Sequence, residues 1–475
     1  MSEPKRLHPA AIIFNFIKGI REFIFVLIFG FITFRDQSFG YFILIVLLLA
    51  LIIVAYSVIS WYRYTYRVEE EELRIEYGIF IRKKRYISKN RIQSIDLTQG
   101  VIHRIFKLAK VQIETAGSGN GSEASLKAVK FTEAQTLRDE LKNEDTQATE
   151  LDPETEAETT NHPFYKISFK RLFVAGSTSG SIGVIFVLAL GALEFERFIP
   201  DRFFDNAMSW VIGLSIMLIV GFALALLLFL WLLGIAGTMI KYGNFTITKY
   251  KDELFITRGL LEKKQITIPL GRIQAVGIQE SVIRQPLGFV TVFAEVAGGS
   301  LDQGEDFSTV LFPIMKRDEV EEFLQEILPD YAEQPQDFNP LPKRALTFYL
   351  FRTMVPIILL GIAVMFLLPQ FSWVIIILLI GGLYLGFLRY RAGGYYLKEN
   401  RLMVRYRVLS KTTMLMYHKR IQAFEKTQHK IQKAKKLATL KLSIIGKLGT
   451  GKHYTIKELD EADLDQLSDW YSYRK

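Results

Sequence analysis

The chain has 475 residues, of which half are hydrophobic, a formal net charge of +10 and no cysteine. The lack of cysteine excludes disulfides, thiolate nucleophiles, iron–sulfur clusters and cysteine-ligated zinc, and the composition fits a membrane protein better than a soluble enzyme. Residues 143–160 hold seven acidic and no basic side chains, so removing those seven negative charges leaves +17 on the rest. This basic body favours contact with anionic lipid headgroups, with nucleic acid as the weaker alternative.

Apolar segments in the chain are long enough to cross a bilayer, which takes about 20 residues. The first, Phe23–Phe34, is short and spans only if Arg21 and Glu22 reach the interface. Tyr41–Ser60 contains no charge at all. The later segments are Leu172–Leu193, Asn206–Ile240 and Thr353–Leu388, the last of which is broken at Pro369–Ser372. We therefore predict six transmembrane helices in three hairpins.

Lysines and arginines lie before the first predicted span and after each even-numbered one, namely Lys5, Arg6, Lys18, Arg21, Arg63, Arg67, Lys241, Arg389 and Arg391. Because cytosolic flanks are enriched in such residues, both termini and all three large polar regions are expected in the cytosol. The prediction is a multi-pass protein of the cell (plasma) membrane. No cleavage site for a signal peptide follows the first apolar run.

An internal repeat is the strongest signal in the chain. An Arg-Ile-Gln triplet occurs three times, and a glycine follows each triplet at the same distance; these signature residues are Arg91, Gln93 and Gly117, then Arg272, Gln274 and Gly298, then Arg420, Gln422 and Gly446. The second and third copies are offset from the first by 181 and 329 residues at every point. A constant offset needs no gap, so we interpret these residues as the structural signature of one repeated unit.

Each polar region alternates apolar and polar residues over short runs, which indicates β-strands, and ends with an amphipathic helical pattern. The predicted fold is therefore an α+β membrane protein in which each of three hairpins is followed by a small β-sandwich or partly open barrel with a C-terminal helix. The predicted boundaries are residues 11–60, 163–240 and 346–388 for the hairpins, 61–142, 241–330 and 389–475 for the domains, and 143–162 (acidic) and 331–345 for the linkers.

The run from Arg91 to Gly117 resembles the signature of bacterial pleckstrin-homology-like (PH-like) domains, a former domain-of-unknown-function family found after membrane hairpins. The second repeat matches it at Arg272–Val276, Pro286–Val290 and Glu295–Gly299, and the third departs most, because the glycine expected near Lys436 is absent. The resemblance covers nearly the whole chain and is to the three-repeat type from Gram-positive bacteria. It implies the PH-like fold, and it implies a smaller single-unit relative as a natural partner.

No pattern of catalytic or cofactor-binding residues stands out. The run Gly446–Lys452 imitates a phosphate-binding loop, but His453 follows where Ser or Thr is needed, and a strand pattern comes next instead of a helix. The six histidines include no helical pair with a carboxylate at metal-binding spacing. We therefore predict no enzyme activity and no catalytic residue, cofactor or metal site.

Three basic clusters are the candidates for binding lipids or a partner: Arg82, Lys83, Lys84 and Arg85, then Lys263 and Lys264, then Lys433, Lys435 and Lys436. PH-like domains in general bind headgroups, peptides or proteins on such rims, and membrane-tethered domains also carry basic residues simply as flanking charge. The clear spans hold no ionisable residue, which argues against a transport path. Nucleic-acid binding lacks both a motif and an aromatic platform.

The sequence thus predicts a non-enzymatic, membrane-anchored scaffold that binds proteins, anionic headgroups or both. A role in envelope maintenance or stress resistance is a hypothesis that follows from location and resemblance. A transporter subunit and a lipid-modifying membrane enzyme are the alternatives. The expected partners are membrane lipids and the single-unit relative, without nucleic acid, and the sequence leaves the oligomeric state open.

Overall fold

The structure is a computed structural model that describes residues 3–34, 39–69, 71–115, 124–141, 162–179, 216–297, 308–333, 335, 337–367, 372–444 and 452–472. Two units make up the chain: Met1–His162 with Tyr250–Pro269, and Pro163–Lys249 with Leu270–Lys475. The signature glycines 117, 298 and 446, the acidic linker and most of the segment Leu172–Leu193 lie outside the described residues.

The described α-helices, in chain order, are α1 (Ala11–Phe34), α2 (Phe39–Arg63), α3 (Val101–Ile105), α4 (Phe131–Leu141), α5 (Phe169–Ser177), α6 (Ile216–Tyr242), α7 (Val320–Ile327), α8 (Leu346–Leu367), α9 (Ser372–Ala392), α10 (Lys430–Ala434) and α11 (Glu461–Ser472). Within the described ranges, four stretches are long and apolar enough to cross a membrane: Gly40–Arg63, Leu224–Tyr242, Lys343–Phe366 and Ser372–Ala392. Helix α1, whose first half holds Lys18, Arg21 and Glu22, is not among these four. Six spans therefore remain a prediction.

Small residues bring the helices of each pair close together. A Cβ on Gly19 of α1 would lie 2.6 Å from the Ile53 side chain of α2, and one on Gly176 of α5 would lie 2.9 Å from Ile235 Cα of α6. In the third pair, Gly386 of α9 faces Leu350 of α8 in the same way. Without a hydrophobic driving force between helices in lipid, such close backbone approach supplies the packing energy.

Within the described ranges, seven strands belong to each repeat. The first repeat has β1 (Lys5–Arg6), β2 (Thr65–Val68), β3 (Glu72–Tyr77), β4 (Lys83–Ser88), β5 (Ile92–Gln99), β6 (Leu108–Thr115) and β7 (Ala124–Lys130). The second has β8 (Phe164–Lys166), β9 (Thr246–Lys249), β10 (Glu253–Arg258), β11 (Lys263–Pro269), β12 (Ile273–Glu280), β13 (Phe289–Val296) and β14 (Ser308–Lys316). The third has β15 (Asn339–Pro340), β16 (Gly394–Lys398), β17 (Arg401–Arg407), β18 (Lys411–Tyr417), β19 (Ile421–Thr427), β20 (Leu437–Ile444) and β21 (Lys452–Asp460).

The helices of each predicted hairpin follow the first strand of the repeat and precede its second strand. The short strand that precedes each hairpin pairs antiparallel with the strand that follows it, as β1 with β2, β8 with β9 and β15 with β16. The predicted domain boundaries begin after the hairpins and so omit these first strands. Because each pair of helices begins and ends at neighbouring strands, the sheet fixes the domain-side ends of both helices.

In the first repeat the two sheets and the C-terminal helix enclose one apolar core. Leu73 and Ile75 of β3 are buried together with Ile95 of β5, Ile113 of β6 and Leu137 of α4. Burying each such side chain contributes about 1.5–3 kcal/mol. The core of the third repeat follows the same plan, with Leu402 and Val404 of β17, Leu440 of β20 and Leu464 of α11.

Sheets run from one repeat into the next. In the first unit β7, β6 and β5 continue through β11 to β10, and in the second unit β14, β13 and β12 continue through β18 to β17, β16 and β15. The fifth strand of one repeat thus pairs antiparallel with the fourth strand of the next, at β5–β11 and at β12–β18. These two junctions explain why a repeat is not an isolated domain.

Candidate membrane-surface site

The loop between the third and fourth strands of the first repeat carries two exposed apolar side chains. Phe80 is 95% exposed and Ile81 is 74% exposed, so most of their surface contacts solvent. The loop begins at Gly78, whose φ of +113° is left-handed, and a Cβ there would clash with the Ile81 carbonyl oxygen. Only glycine fits this turn without strain. The turn leaves the side chains of Phe80 and Ile81 on the outside of the domain.

The same loop has an apolar tip in every repeat. Leu260 and Leu261 occupy it in the second repeat, and Val408 and Leu409, both 60% exposed, occupy it in the third. We call these three segments (residues 79–81, 260–261 and 408–409) the apolar tips. Exposed apolar side chains at one position of three repeats are typical of a binding or membrane-contacting surface.

Two contacts place the tips beside the ends of the membrane helices. In the third repeat Arg389, in the last turn of α9, donates a hydrogen bond from Nε to the Val408 carbonyl oxygen at 2.8 Å. In the first repeat the ring of Tyr77, at the end of β3, stacks on Tyr64, which directly follows α2, with ring centroids 6.0 Å apart. Both tips therefore start beside the domain-side end of a long apolar helix.

The basic cluster of the first repeat continues from its apolar tip into β4. Arg82, Lys83, Lys84 and Arg85 are all exposed. The Glu76 carboxylate forms ion pairs with Arg82, whose Nη2 is 2.6 Å from Oε2, and with Arg74, whose Nη2 is 2.8 Å from Oε1. Burial pushes the pKa of Glu76 upward, but the charges of Arg82, Lys84 and Arg74 outweigh it and hold the pKa below its ordinary value. The carboxylate therefore stays ionised and offsets only part of the positive charge.

The other predicted clusters lie in different surroundings. Lys263 and Lys264 are on β11, where they pair with Gln99 and Thr98 of β5, so they lie at the junction between the first and second repeats. Lys433 is in α10 and Lys435 and Lys436 follow it, all three exposed. Lys263 and Lys264 hold the repeat position of Arg82 and Lys83 but lie against β5, and the third cluster lies at a different repeat position.

The missing glycine near Lys436 has a structural counterpart. Lys107, Gly288 and Lys436 share one repeat position, and all three have a left-handed backbone, with φ of +53°, +70° and +51°. The turn is thus kept in the third repeat even though a lysine replaces the glycine found in the second. A side chain other than glycine there costs about 1 kcal/mol of strain.

The signature arginines all end a single-turn 3-10 helix that leads into the fifth strand: Lys89–Arg91, Leu270–Arg272 and His418–Arg420. In the second repeat Arg272 Nε donates to the Ala297 carbonyl oxygen at 2.7 Å, and Gln274 Nε2 donates to the Arg272 carbonyl oxygen at 3.0 Å. These bonds hold the start of the fifth strand to the end of the sixth, which is a structural role.

A second set of residues at one repeat position connects to the helix pair of its repeat, directly in the first and second repeats and through Glu458 in the third, and the sequence pattern did not reveal it. His103 of α3 stacks on Phe14 of α1, with centroids 4.0 Å apart. Arg284 donates to Thr178 Oγ1 and to the Ala175 carbonyl oxygen at the end of α5, each at 3.0 Å. Gln432 of α10 donates to the carboxylate of Glu458 at 3.2 Å. We call these contacts the joints.

The joint of the third repeat contains a fully buried carboxylate. Glu458, in β21, has no exposed side-chain surface and is held by both guanidinium nitrogens of Arg352, which lies on α8; Arg352 Nη1 is 3.1 Å from Glu458 Oε2. A matching signal could have been found only by aligning position 103 across the repeats, where His, Arg and Gln share no more than a side-chain N–H donor. Among the described residues, no group of three or more His, Asp or Glu side chains could hold a metal ion.

Known proteins share this chain's organisation. The family described as Bacterial PH domain matches three times, at residues 22–145, 189–330 and 356–475. The transmembrane protein YdbT of Bacillus subtilis is 36% identical over an alignment that covers 100% of this chain and 99% of that protein. The transmembrane protein YdbS of the same organism is 34% identical over 76 residues, which are 16% of this chain and 45% of YdbS. A smaller relative with a single match therefore exists.

Proposed function

Because the chain belongs to the family of bacterial PH domain proteins, we propose that it is a non-enzymatic scaffold anchored in the plasma membrane by several passes. Its PH-like domains lie in the cytosol and bind anionic lipid headgroups at the inner leaflet. The observation that carries this proposal is the apolar tip of the first repeat, followed at once by four exposed basic residues and lying next to the end of α2.

The physical argument combines two terms. Phe80 and Ile81 gain free energy when they enter the interfacial layer, because their exposed surface leaves water. Each Lys or Arg close to an anionic leaflet adds about 1 kcal/mol, and the effect fades within a Debye length. The basic residues follow the tip directly, so insertion of the tip brings them within that range.

A fluorescent probe on the tip tests the proposal. The chain has no cysteine, so Ile81→Cys gives a single attachment point for an environment-sensitive dye in the full chain, reconstituted one copy per nanodisc. We expect a blue-shifted emission in nanodiscs that contain phosphatidylglycerol and a smaller shift in phosphatidylcholine alone. Salt is expected to reduce the difference, because exposed charges are screened.

Two lysines of the same strand make a matched pair of variants. Lys83 lies at the loop end of β4 and Lys89 just beyond its other end, about 20 Å away for six extended residues. Lys83→Gln is expected to remove a large part of the phosphatidylglycerol-dependent shift, whereas Lys89→Gln is expected to leave it unchanged. Equal emission in both lipids, or equal effects of both variants, would contradict headgroup binding at the tip.

A further inference from the structure

The two ends of the repeat array present open strand edges. β4 is the last strand of the sheet β1-β2-β3-β4, and β19 is the first strand of the sheet β19-β20-β21. Within the described part of the chain, no other strand pairs with the outer edge of either one. An open edge offers unpaired backbone N–H and C=O groups to another strand.

These two edges are the same two strands that form the internal junctions. β4 occupies the repeat position of β11 and β18, and β19 occupies that of β5 and β12. At the internal junctions a fifth strand pairs with a fourth strand, β5 with β11 and β12 with β18. Within the described part of the chain, β4 of the first repeat and β19 of the third are therefore the two junction strands that do not take part in a junction.

Both internal junctions use one register. Gln99 pairs with Lys263 at the first junction, and Glu280 pairs with Lys411 at the second. Gln99 and Glu280 hold the same repeat position, and so do Lys263 and Lys411. Register is strongly fixed wherever a slip by one residue would turn every side chain to the wrong face, so the repeated register marks a specific mode of pairing.

Burial separates the used edges from the unused ones. In β18 the five central residues, Thr412–Met416, are buried, whereas in β4 the first four residues, Lys83–Tyr86, are exposed. In β12 all residues except Gln279 are buried, whereas in β19 only Ile421 is buried. β4 and β19 are therefore exposed enough for another strand to pair with them.

We propose that β19 of one copy pairs antiparallel with β4 of a second copy, so that the chain assembles head to tail through a third junction of the same kind. The inference goes beyond lipid binding and names a second copy as the partner, because the chain carries both halves of the junction. In the register of the internal junctions, Thr427 lies opposite Lys83, Lys426 opposite Lys84, and Phe424 opposite Tyr86.

The side chains of this pairing both favour and oppose the contact. Phe424 would lie opposite Tyr86 as an aromatic cross-strand pair and Glu425 opposite Arg85 as an opposite-charge pair, both of which stabilise a sheet, whereas Lys426 opposite Lys84 places like charges together, which destabilises it. The second internal junction carries the ion pair of Lys411 with Glu280, at 2.8 Å.

Disulfide formation between two differently tagged full-length copies in native membranes tests the proposal. One copy carries Thr427→Cys and the other Lys83→Cys, and a second combination uses Lys426→Cys with Lys84→Cys. Two adjacent combinations are needed because hydrogen-bonded and non-hydrogen-bonded pairs alternate along antiparallel strands and differ in Cα separation. We expect the mixed-tag disulfide dimer from at least one of them after mild oxidation.

Matched controls exist inside the chain. Gln279 with Thr412 and Ile278 with Thr413 are the same two pairs at the second internal junction, so cysteines there report which combination closes. Thr427→Cys with Lys84→Cys is shifted by one residue and points to opposite faces, so we expect about tenfold less dimer. If the internal pairs close and neither external combination does, the proposal is wrong.

The outcome also separates a second copy from other occupants. A disulfide from Thr427→Cys to a different protein, with no mixed-tag dimer, would overturn the second copy as the partner. The nanodiscs that test headgroup binding hold one copy each, so a dimer without a lipid-dependent shift, or the shift without a dimer, identifies which of the two proposals has failed.

Discussion

The joints of the first and third repeats fix a PH-like domain to its membrane helices by different chemistry. In the first repeat an aromatic stack of His103 on Phe14 makes the contact, whereas in the third a buried carboxylate, Glu458, is held by Arg352 of α8. The contacts are not equivalent, because His103 touches the helix pair directly, whereas Gln432 at the same repeat position reaches Arg352 only through Glu458. The comparison shows that one repeat position lies at the joint in both repeats while the residues that make the contact differ.

The two kinds of contact differ in the free energy that is lost when one side chain is removed. A stacked ring contributes about 0.5–1.5 kcal/mol, whereas removing one partner of a buried ion pair leaves a charge without compensation. The third repeat is therefore the one whose attachment depends most on a single side chain. The joint of the second repeat is expected to be intermediate in its dependence on one side chain, because the guanidinium of Arg284 makes several hydrogen bonds.

The largest effect is expected for Arg352→Ala, which leaves Glu458 buried and unpaired. Loss of one partner of such a pair destabilises by about 3–5 kcal/mol. We expect faster amide hydrogen exchange in β20 and β21 of the full chain in detergent, with no change in the first repeat. Combining Arg352→Ala with Glu458→Gln removes the stranded charge and keeps the hydrogen-bonding shape, so exchange is expected to slow again.

Arg344→Ala is the matched control for that change. Arg344 also pairs with a carboxylate of the third repeat, Asp460; the two arginines are equally exposed, at 39% for Arg344 and 38% for Arg352, but Asp460 is 31% exposed whereas Glu458 is buried. Exposed pairs contribute about 0–1 kcal/mol, so exchange in β20 and β21 is expected to change little. Equal effects of the two arginine substitutions would show that burial of Glu458 does not set the strength of the joint.

A smaller effect is expected for Arg284→Ala in the second repeat. The substitution removes donors from Thr178, from the Ala175 carbonyl oxygen and from the Pro313 carbonyl oxygen. Buried acceptors that lose their donors cost about 1–3 kcal/mol. Faster exchange at the end of α5 is the measurement. Arg284→Lys keeps the charge but not the forked donor geometry, so it is expected to fall between Ala and the unchanged chain.

The sequence predicted the repeat and its register well, and the reason is physical. Arg91, Arg272 and Arg420 lie at the same turn in each repeat, because a short turn with fixed hydrogen bonds accepts few residue types. The alternation of apolar and polar residues also marked most strands, since one face of each is buried. The fold class and the long apolar helices follow from these signals.

The insertion of the hairpins and the joining of sheets across repeats were not predicted. The strands Lys5–Arg6 and Asn339–Pro340 have two residues each, too few for any alternation to appear. A repeat in sequence also does not reveal whether its edge strands pair within the repeat or with the next one, because backbone hydrogen bonds carry no residue code. The basic residues Lys263 and Lys264 thus look like a surface cluster in sequence and lie at a junction in the structure.

The smallest and most condition-dependent effect is expected at His103. Burial lowers the pKa of His103 below its ordinary value of 6.5, outweighing the hydrogen bond to the Lys127 carbonyl oxygen, while the nearby charge of Lys110 lowers it and that of Glu262 raises it. The unfolded chain then binds the proton more readily, so the stabilisation from this joint is complete above pH 6.5 and is lost as pH falls through the lowered pKa. We expect the protection factor of α3, which is the intrinsic exchange rate divided by the measured rate at the same pH, to fall as the pH drops below about 6.5. His103→Phe keeps a ring against Phe14 and cannot titrate, so the protection factor of α3 in this variant is expected not to change over that range; a persistent decrease would assign the effect to another group.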